Sequence, residues 1–230
     1  MDELQTEKEF KGKTIETRVG SLSSLFGACI KSGLLSGHTN PFTQVDYRSE
    51  QDSHLYTAVQ SDYRGLFRKA SSWPYVQALA LRLQAYMGCR VSEIFITKDQ
   101  FNPEEGTITT GVKLRKGEQQ RVIPIPDHLV EELKVFDWSW CKSGVLNKRL
   151  KEINQQLSTH SWRHGWKDIS RDVGMDPVKA EFFLGHQIGR STGSLMESVY
   201  GKGYSIKSLK EDGANIVWDV LDQWRREENG

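Results

Sequence analysis

Apolar side chains recur at Val19, Leu22, Leu25, Phe26, Cys29, Ile30 and Leu34, the three-and-four spacing of one helical face, and Gly33 and Gly37 close the run. The stretch GHTNPF that follows is polar and broken by Pro41, so the helix is expected to give way to a linker over about residues 36–52. From Pro74 to Met87 the run VQALALRLQAYM favours helix, and VSEIF adds a short turn after Gly88. The period then changes. ITKDQF, GTITTGV and QRVIPIP are short, rich in β-branched residues and separated by the turn formers NPEEG and KGEQ, which predicts a small antiparallel sheet. DHLVEELKVF returns to helix with Asp127 as its expected N-cap, and helical patterns cover about residues 143–156, 159–173, 177–184, 191–200 and 206–226. The fold class is therefore mixed α/β, mostly α-helical with a small antiparallel sheet. A lone amphipathic helix cannot bury its own stripe. Residues 1–45 are accordingly expected to be the C-terminal remnant of a helical module with its linker, or a segment packed on the main domain, residues 46–230.

Composition narrows the class. The 230 residues are 37% hydrophobic and 27% charged, with a mean hydropathy of −0.57, enough apolar material for one sizeable core. No stretch approaches the ~20 apolar residues of a membrane span, and MDELQTEKEF lacks the basic and apolar regions of a signal peptide, so a cytoplasmic protein is expected. Cys29, Cys89 and Cys141 are odd in number and widely spaced, which argues against a disulfide framework or a structural zinc site and predicts buried small residues. A formal net charge of +1 by itself disfavours a nucleic-acid binder. The sum hides a segregation, however. Acids gather at the two ends, while residues 113–121 hold Lys113, Arg115, Lys116 and Arg121 against Glu118, and residues 142–171 include Lys148, Arg149 and Arg163 among seven cations facing two acids. Such runs fit a solvated face or a phosphate-facing one equally in kind.

Four places carry candidate chemistry. In GCRVSE, residues 88–93, Arg90 follows a glycine turn and Glu93 lies at i+3, where a carboxylate can orient a guanidinium or simply form a surface ion pair. In THSWRHGW, residues 159–166, Thr159 is a possible N-cap, and His160 and Arg163 stand one turn apart near the positive end of a helix, where anions are favoured. His164 lies at i+4 from His160, but the Glu of an HExxH metal pair and a third ligand are missing, and a structural histidine with an exposed arginine fits as well. In FFLGHQ an apolar run ends at Gly185 and presents His186, as a site residue or as a cap responding to the helix dipole. In SVYGKGY, Tyr200 and Tyr204 flank a glycine-rich break.

The order of these boxes is more specific than any one of them. An Arg, a hairpin Lys, His-x-x-Arg, Leu-Gly-His and a Tyr near the C-terminus resembles the catalytic series of the tyrosine recombinases, the phage integrase family. GCRVSEIF resembles the family's first-arginine box, KGEQQRVIPIP its lysine hairpin and LSTHSWRHGW its His-x-x-Arg-His box. LGH resembles the second histidine box and SVYGKGYSIKSLKE the nucleophile segment, so the resemblance covers about residues 50–220.

That resemblance implies a DNA breaking-rejoining fold and a metal-free, cofactor-free strand transfer. Tyr200 would attack the scissile phosphate and conserve the ester energy as a 3′-phosphotyrosyl bond. Arg90 and Arg163 would grip the nonbridging oxygens, His160 and His186 would donate to the phosphate or assist proton transfer, and Lys116 would protonate the leaving oxygen. Glu93 would hold Arg90 in place. Lys113, Arg115, Arg121, Lys148 and Arg149 would face DNA. The spacing from His186 to Tyr200 is longer than the family's commonest one, so Tyr204 stays open as nucleophile, as Lys113 does beside Lys116. The expected partners are double-stranded attachment sites and three further copies of the chain on synapsed DNA, in a bacterial cytoplasm and at the nucleoid when bound. A fragment that binds DNA without recombining it, and a type IB topoisomerase, are the alternatives. Val217, Trp218, Val220, Leu221 and Trp224 give the last helix an apolar side for a neighbouring protomer or for packing in cis.

Overall fold

Gly33 ends the first helix as the sequence suggests. In the computed structural model, which describes residues 12–43, 56–110, 120–185 and 204–229, helix α1 (Gly12–Lys31) is closed by Gly33 at φ 82°. The amide of Leu35 donates back to the carbonyl of Cys29 at 3.2 Å, which satisfies a helix-end acceptor. A 3₁₀ turn at Pro41–Thr43 folds onto this helix. Phe42 meets Phe26 edge-on at 6.1 Å, and Asn40 Nδ2 donates to the carbonyl of Ser23 at 2.9 Å. These elements belong to the first of two compact units, Met1–Leu55; the second is Tyr56–Gly230. The division falls later than the expected boundary after residue 45. Along α1, Leu22 and Leu25 are exposed, as is Leu34 just beyond its end.

The second unit is organised around α3 (Tyr75–Met87), which starts behind Pro74 and is buried along nearly its whole length. Leu79, Leu81 and Leu83 are fully shielded, each contributing about 1.5–3 kcal/mol relative to an exposed side chain. Around α3 pack α2 (Gln60–Ala70), α5 (Ser143–Ile153), α6 (Ser161–Asp172) and α9 (Asn215–Asn229). Helix α2 is not among the elements expected from the sequence. Its apolar face consists of Tyr63, Leu66, Phe67 and Ala70, and its first turn is secured by buried Asp62, whose carboxylate accepts from the Val59 amide at 3.0 Å and the Tyr56 hydroxyl at 2.8 Å.

Strands β1 (Phe101–Asn102), β2 (Thr107–Thr110) and β3 (Arg121–Pro124) form the predicted antiparallel sheet in the order β1-β2-β3. Ile108 faces Ile123 across the ladder and both are buried, while Val122 points outward. Helix α4 (Asp127–Lys134) follows. Asp127 is its first helical residue and not its cap: Pro126 occupies the cap in extended backbone, and the Asp127 carboxylate pairs with Lys210 at 2.7 Å. Helix α7 (Pro177–Leu184) is capped by Asp176, which accepts from the amides of Val178 and Lys179. The helical pattern expected over about 206–226 is realised as α8 (Ile206–Leu209), a π turn at Lys210–Ala214, and α9. The wider turn lies where Gly213 comes up against Met175 and Lys179, a close approach that a side chain would obstruct.

Packing decides two further expectations. Only Cys89 is fully buried; Cys29 and Cys141 are half-buried. On α9, Val217, Trp218 and Leu221 are buried within the unit, with Val220 and Trp224 packed beside them, so this apolar side is used in cis. The helix expected at 191–200 lies outside the described residues. Among the described residues, no helix is long and apolar enough to cross a membrane.

Candidate active site

Arg90 lies just beyond the end of α3, where Gly88 at φ 62° turns the chain out of the helix. A 3₁₀ turn, Val91–Glu93, follows at once. Its Glu93 folds back so that Oε2 accepts the Arg90 backbone N–H at 2.8 Å, a reciprocal helix-start contact. The other oxygen, Oε1, is 2.7 Å from Arg121 Nη1, and both side chains are buried. Glu93 thus fixes the backbone of Arg90 and places its charge on Arg121. The Arg90 guanidinium reaches the carbonyl of Gly185 at 3.5 Å.

Arg163 is the third residue of α6 and only 4% exposed. Its Nη1 is buried and has no hydrogen-bond partner among the described residues. Burial, and then the neighbouring Arg90, pull its pKa down from 12.5 to about 10, with Glu93 acting in the opposite sense and Arg121 adding to the depression. The cluster of Arg90, Arg121, Arg163 and Glu93 therefore carries more positive than negative charge in a shielded place. Cys89 lies in the same cluster, and burial pushes its thiol well above the usual range, so it is an inert packing residue here.

The start of α6 is held by residues that sequence reasoning did not single out. Gln84, completely buried on α3, donates through Nε2 to the carbonyls of Thr159 at 2.5 Å and Cys89 at 3.3 Å. It joins the turn before Arg90 to the turn before Arg163. The signal was a glutamine inside an otherwise apolar helical run, because a buried amide must find partners. Asn147 on α5 accepts the Thr159 amide at 3.0 Å. Thr159 is not the cap of α6. A turn closes from Ser158 to Ser161, and His160 occupies the cap position. His160 is exposed, and its ring meets that of His164 edge-on at 4.7 Å. No group of three or more potential metal ligands stands together among the described residues.

The opposite side of α6 anchors the helix. Trp162 and Trp166 are fully buried, Trp166 stacks on Phe183 of α7 at 5.3 Å, and its indole donates to the carbonyl of Tyr86 at 3.0 Å. Helix α7 thereby delivers Gly185, at φ 63°, beside Arg90 and Arg121. Residues Lys113, Arg115, Lys116, His186 and Tyr200 lie outside the described residues. Tyr204 is half-buried, with its ring against Phe182 at 6.0 Å and the Lys179 ammonium 5.6 Å above it. Of the cations expected to face DNA, Lys148 is exposed. Arg149 is turned onto the protein, with Nε to Gln77 at 2.7 Å and Nη1 to Glu152 at 2.8 Å. Arg121 is corrected more sharply: it is 9% exposed, and both amino groups are directed to protein acceptors.

No protein-family model matches the chain. A curated "Tyrosine recombinase" of Thermosipho africanus (strain TCF52B) is 24% identical over 201 residues, covering 75% of this chain and 67% of that protein. The fold is similar to solved structures of lambda integrase. A dimer bound to a COC′ core site matches with a TM-score of 0.58 at 17% identity, over 77% of this chain and 73% of that one. A tetramer bound to a Holliday junction matches with a TM-score of 0.60 at 17% identity, over 81% of this chain and 62% of that one. The chain is thus similar in sequence to a tyrosine recombinase and in fold to lambda integrase. In this chain the described part of the candidate site is a cationic corner, built where the end of α3, the start of α6 and the end of α7 meet around the Glu93 carboxylate.

Proposed function

We propose that this chain is a tyrosine recombinase that cuts and rejoins double-stranded DNA at specific sites through a 3′-phosphotyrosyl intermediate, with Tyr200 as the nucleophile. The observation that carries the reading is the buried Arg163 Nη1, which has no acceptor among the described residues although a buried donor without one costs about 1–3 kcal/mol. A phosphate oxygen supplies that acceptor. Arg90 and Arg163 then neutralise charge that grows as the phosphorus becomes five-coordinate, each worth about 3–4 kcal/mol at the transition state. Both sit on rigid supports, Arg90 through the Glu93 contact to its amide and Arg163 through the Gln84 and Asn147 contacts to the turn before it. His160 and His186 donate to the same phosphate, and Lys116 protonates the leaving 5′ oxygen. The balance is simple: the tyrosyl oxygen passes its proton to a histidine and forms the new P–O bond as the bond to the 5′ oxygen breaks, that oxygen leaves with the proton from Lys116, and a 5′ hydroxyl of the same or another strand later displaces the tyrosyl oxygen to reseal or redirect the strand.

Tyr200 is preferred to Tyr204 as nucleophile because the Tyr204 ring is held between Phe182 and Lys179. The assembly proposed is a tetramer on two synapsed duplexes, at the nucleoid of a bacterial host. The test uses nicked duplexes with a randomised centre, which trap a covalent intermediate by losing the short strand; adduct-forming members are recovered and sequenced. Tyr200→Phe is expected to abolish the denaturation-resistant protein–DNA adduct, and Tyr204→Phe to leave it. The reverse pattern reassigns the nucleophile, and DNA binding without any adduct from the unmodified chain identifies a binding fragment.

A further inference from the structure

Arg121 stands at the first position of β3, in the stretch of basic residues that the family resemblance expects to face DNA. Its geometry is that of an internal clamp. Nη1 pairs with Glu93 Oε1 at 2.7 Å, Nη2 donates to the carbonyl of Phe183 at 3.2 Å, and the side chain is 8% exposed. The guanidinium also lies flat on Gly185: a Cβ there would fall well inside van der Waals distance of Nη1, Cζ and Nη2. The glycine before His186 is thus required twice, by its φ of 63° and by the arginine that occupies the place of its side chain.

Resting on the recombinase reading above, we propose that Arg121 is a positioning residue that locks the sheet, the Arg90 turn and the end of α7 into one unit by neutralising Glu93. Glu93 must be near Arg90 because its second oxygen fixes the Arg90 amide. A carboxylate buried there without Arg121 would turn its charge on the guanidiniums of Arg90 and Arg163 and compete with the substrate phosphate. Arg121 satisfies it from behind and carries a second contact to the Phe183 carbonyl, which sets the direction of the chain as it enters Gly185. In this role Arg121 acts on cleavage through other residues and contributes no phosphate contact of its own.

The experiment compares Arg121→Met with the unmodified chain on the recovered nicked duplexes, reading the single-turnover adduct rate at saturating DNA and the salt dependence of binding. The expected result is a rate at least ten-fold lower, with DNA affinity within about two-fold and the salt slope unchanged. If Arg121 instead touched a phosphate directly, its removal would flatten the slope by about 0.9 for each phosphate it neutralises; that result with an unaltered saturating rate overturns the proposal. Glu93→Gln/Arg121→Met retains an acceptor for the Arg90 amide and removes the stranded charge, so it is expected to recover part of the rate. A double variant as slow as Arg121→Met overturns the charge-neutralising role. If thermal melting shows Arg121→Met unfolded, the double variant is compared with the unmodified chain: slower cleavage at an unchanged salt slope supports the proposal, and an unchanged rate refutes it. Adduct missing from the unmodified chain refutes the recombinase reading and this inference together, whereas adduct from it with unaffected variants refutes the inference alone.

Discussion

Gly88 connects the most buried helix to the first arginine of the site, and replacing it with alanine should be costly in a calculable way. Its φ of 62° lies in the left-handed region, where an L side chain costs roughly 1–2 kcal/mol. A Cβ would also fall 2.6 Å from Cγ and 2.7 Å from Cδ2 of Trp166. Trp166 cannot yield: it is fully buried, stacked on Phe183 and hydrogen-bonded to Tyr86. Overpacking of that kind adds about 1–3 kcal/mol, so Gly88→Ala should lose about 2–5 kcal/mol. Gly174 is the control. It has φ 74° in the same unit, and a Cβ there meets nothing within 4 Å, so Gly174→Ala should lose the backbone part alone. Urea unfolding followed by tryptophan fluorescence gives both values, and the difference between the two variants isolates the Trp166 contact. In thermal melting that difference corresponds to roughly 2–4 °C per kcal/mol. Equal losses for the two variants would refute the steric argument.

Two further outcomes follow from buried charge. Arg163→Met should reduce adduct formation by about 10²–10³-fold while leaving the melting temperature unchanged or raised, since it removes a cation held below its usual pKa by burial and by Arg90; a large fall in melting temperature would show instead that Arg163 is mainly structural. His128, edge-on to Tyr86 at 4.9 Å, has its pKa lowered from 6.5 to about 4, first by burial and then by Arg225, with Arg82 adding to this and Asp222 and Asp127 opposing it. Between those two values the unfolded chain binds the proton more readily, so this contribution to stability is intact above pH 6.5 and is lost as pH falls towards 4. The full gap corresponds to about 3 kcal/mol, and partial solvent contact reduces it to on the order of 1–2 kcal/mol. His128→Gln should flatten the urea midpoint against pH over that window; a slope that persists assigns it to other groups.

The sequence by itself determined the elements whose causes are local. Pro74, the apolar run and Gly88 define α3, and the β-branched segments between turn formers define the sheet. The resemblance of the ordered boxes to the tyrosine recombinases made Arg90 and Arg163 candidate site residues, and the fold brings the two into one cluster. Helix α2 escaped notice because its start is secured by Asp62 together with Tyr56 and Asn154, a network assembled across distant residues. Thr159 and Asp127 were natural caps by residue type, yet the turn from Ser158 to Ser161 and the extended backbone of Pro126 take those positions. Charge was least legible. Arg121 reads as a surface cation until the sheet packs it against Glu93 and Gly185, and the apolar side of α9 reads as a docking surface or as packing in cis until it closes over α2 and α3. Periodicity and turn chemistry act over a few residues and are written in the chain, whereas the partner of a buried charge or an apolar face is chosen by which elements meet in space.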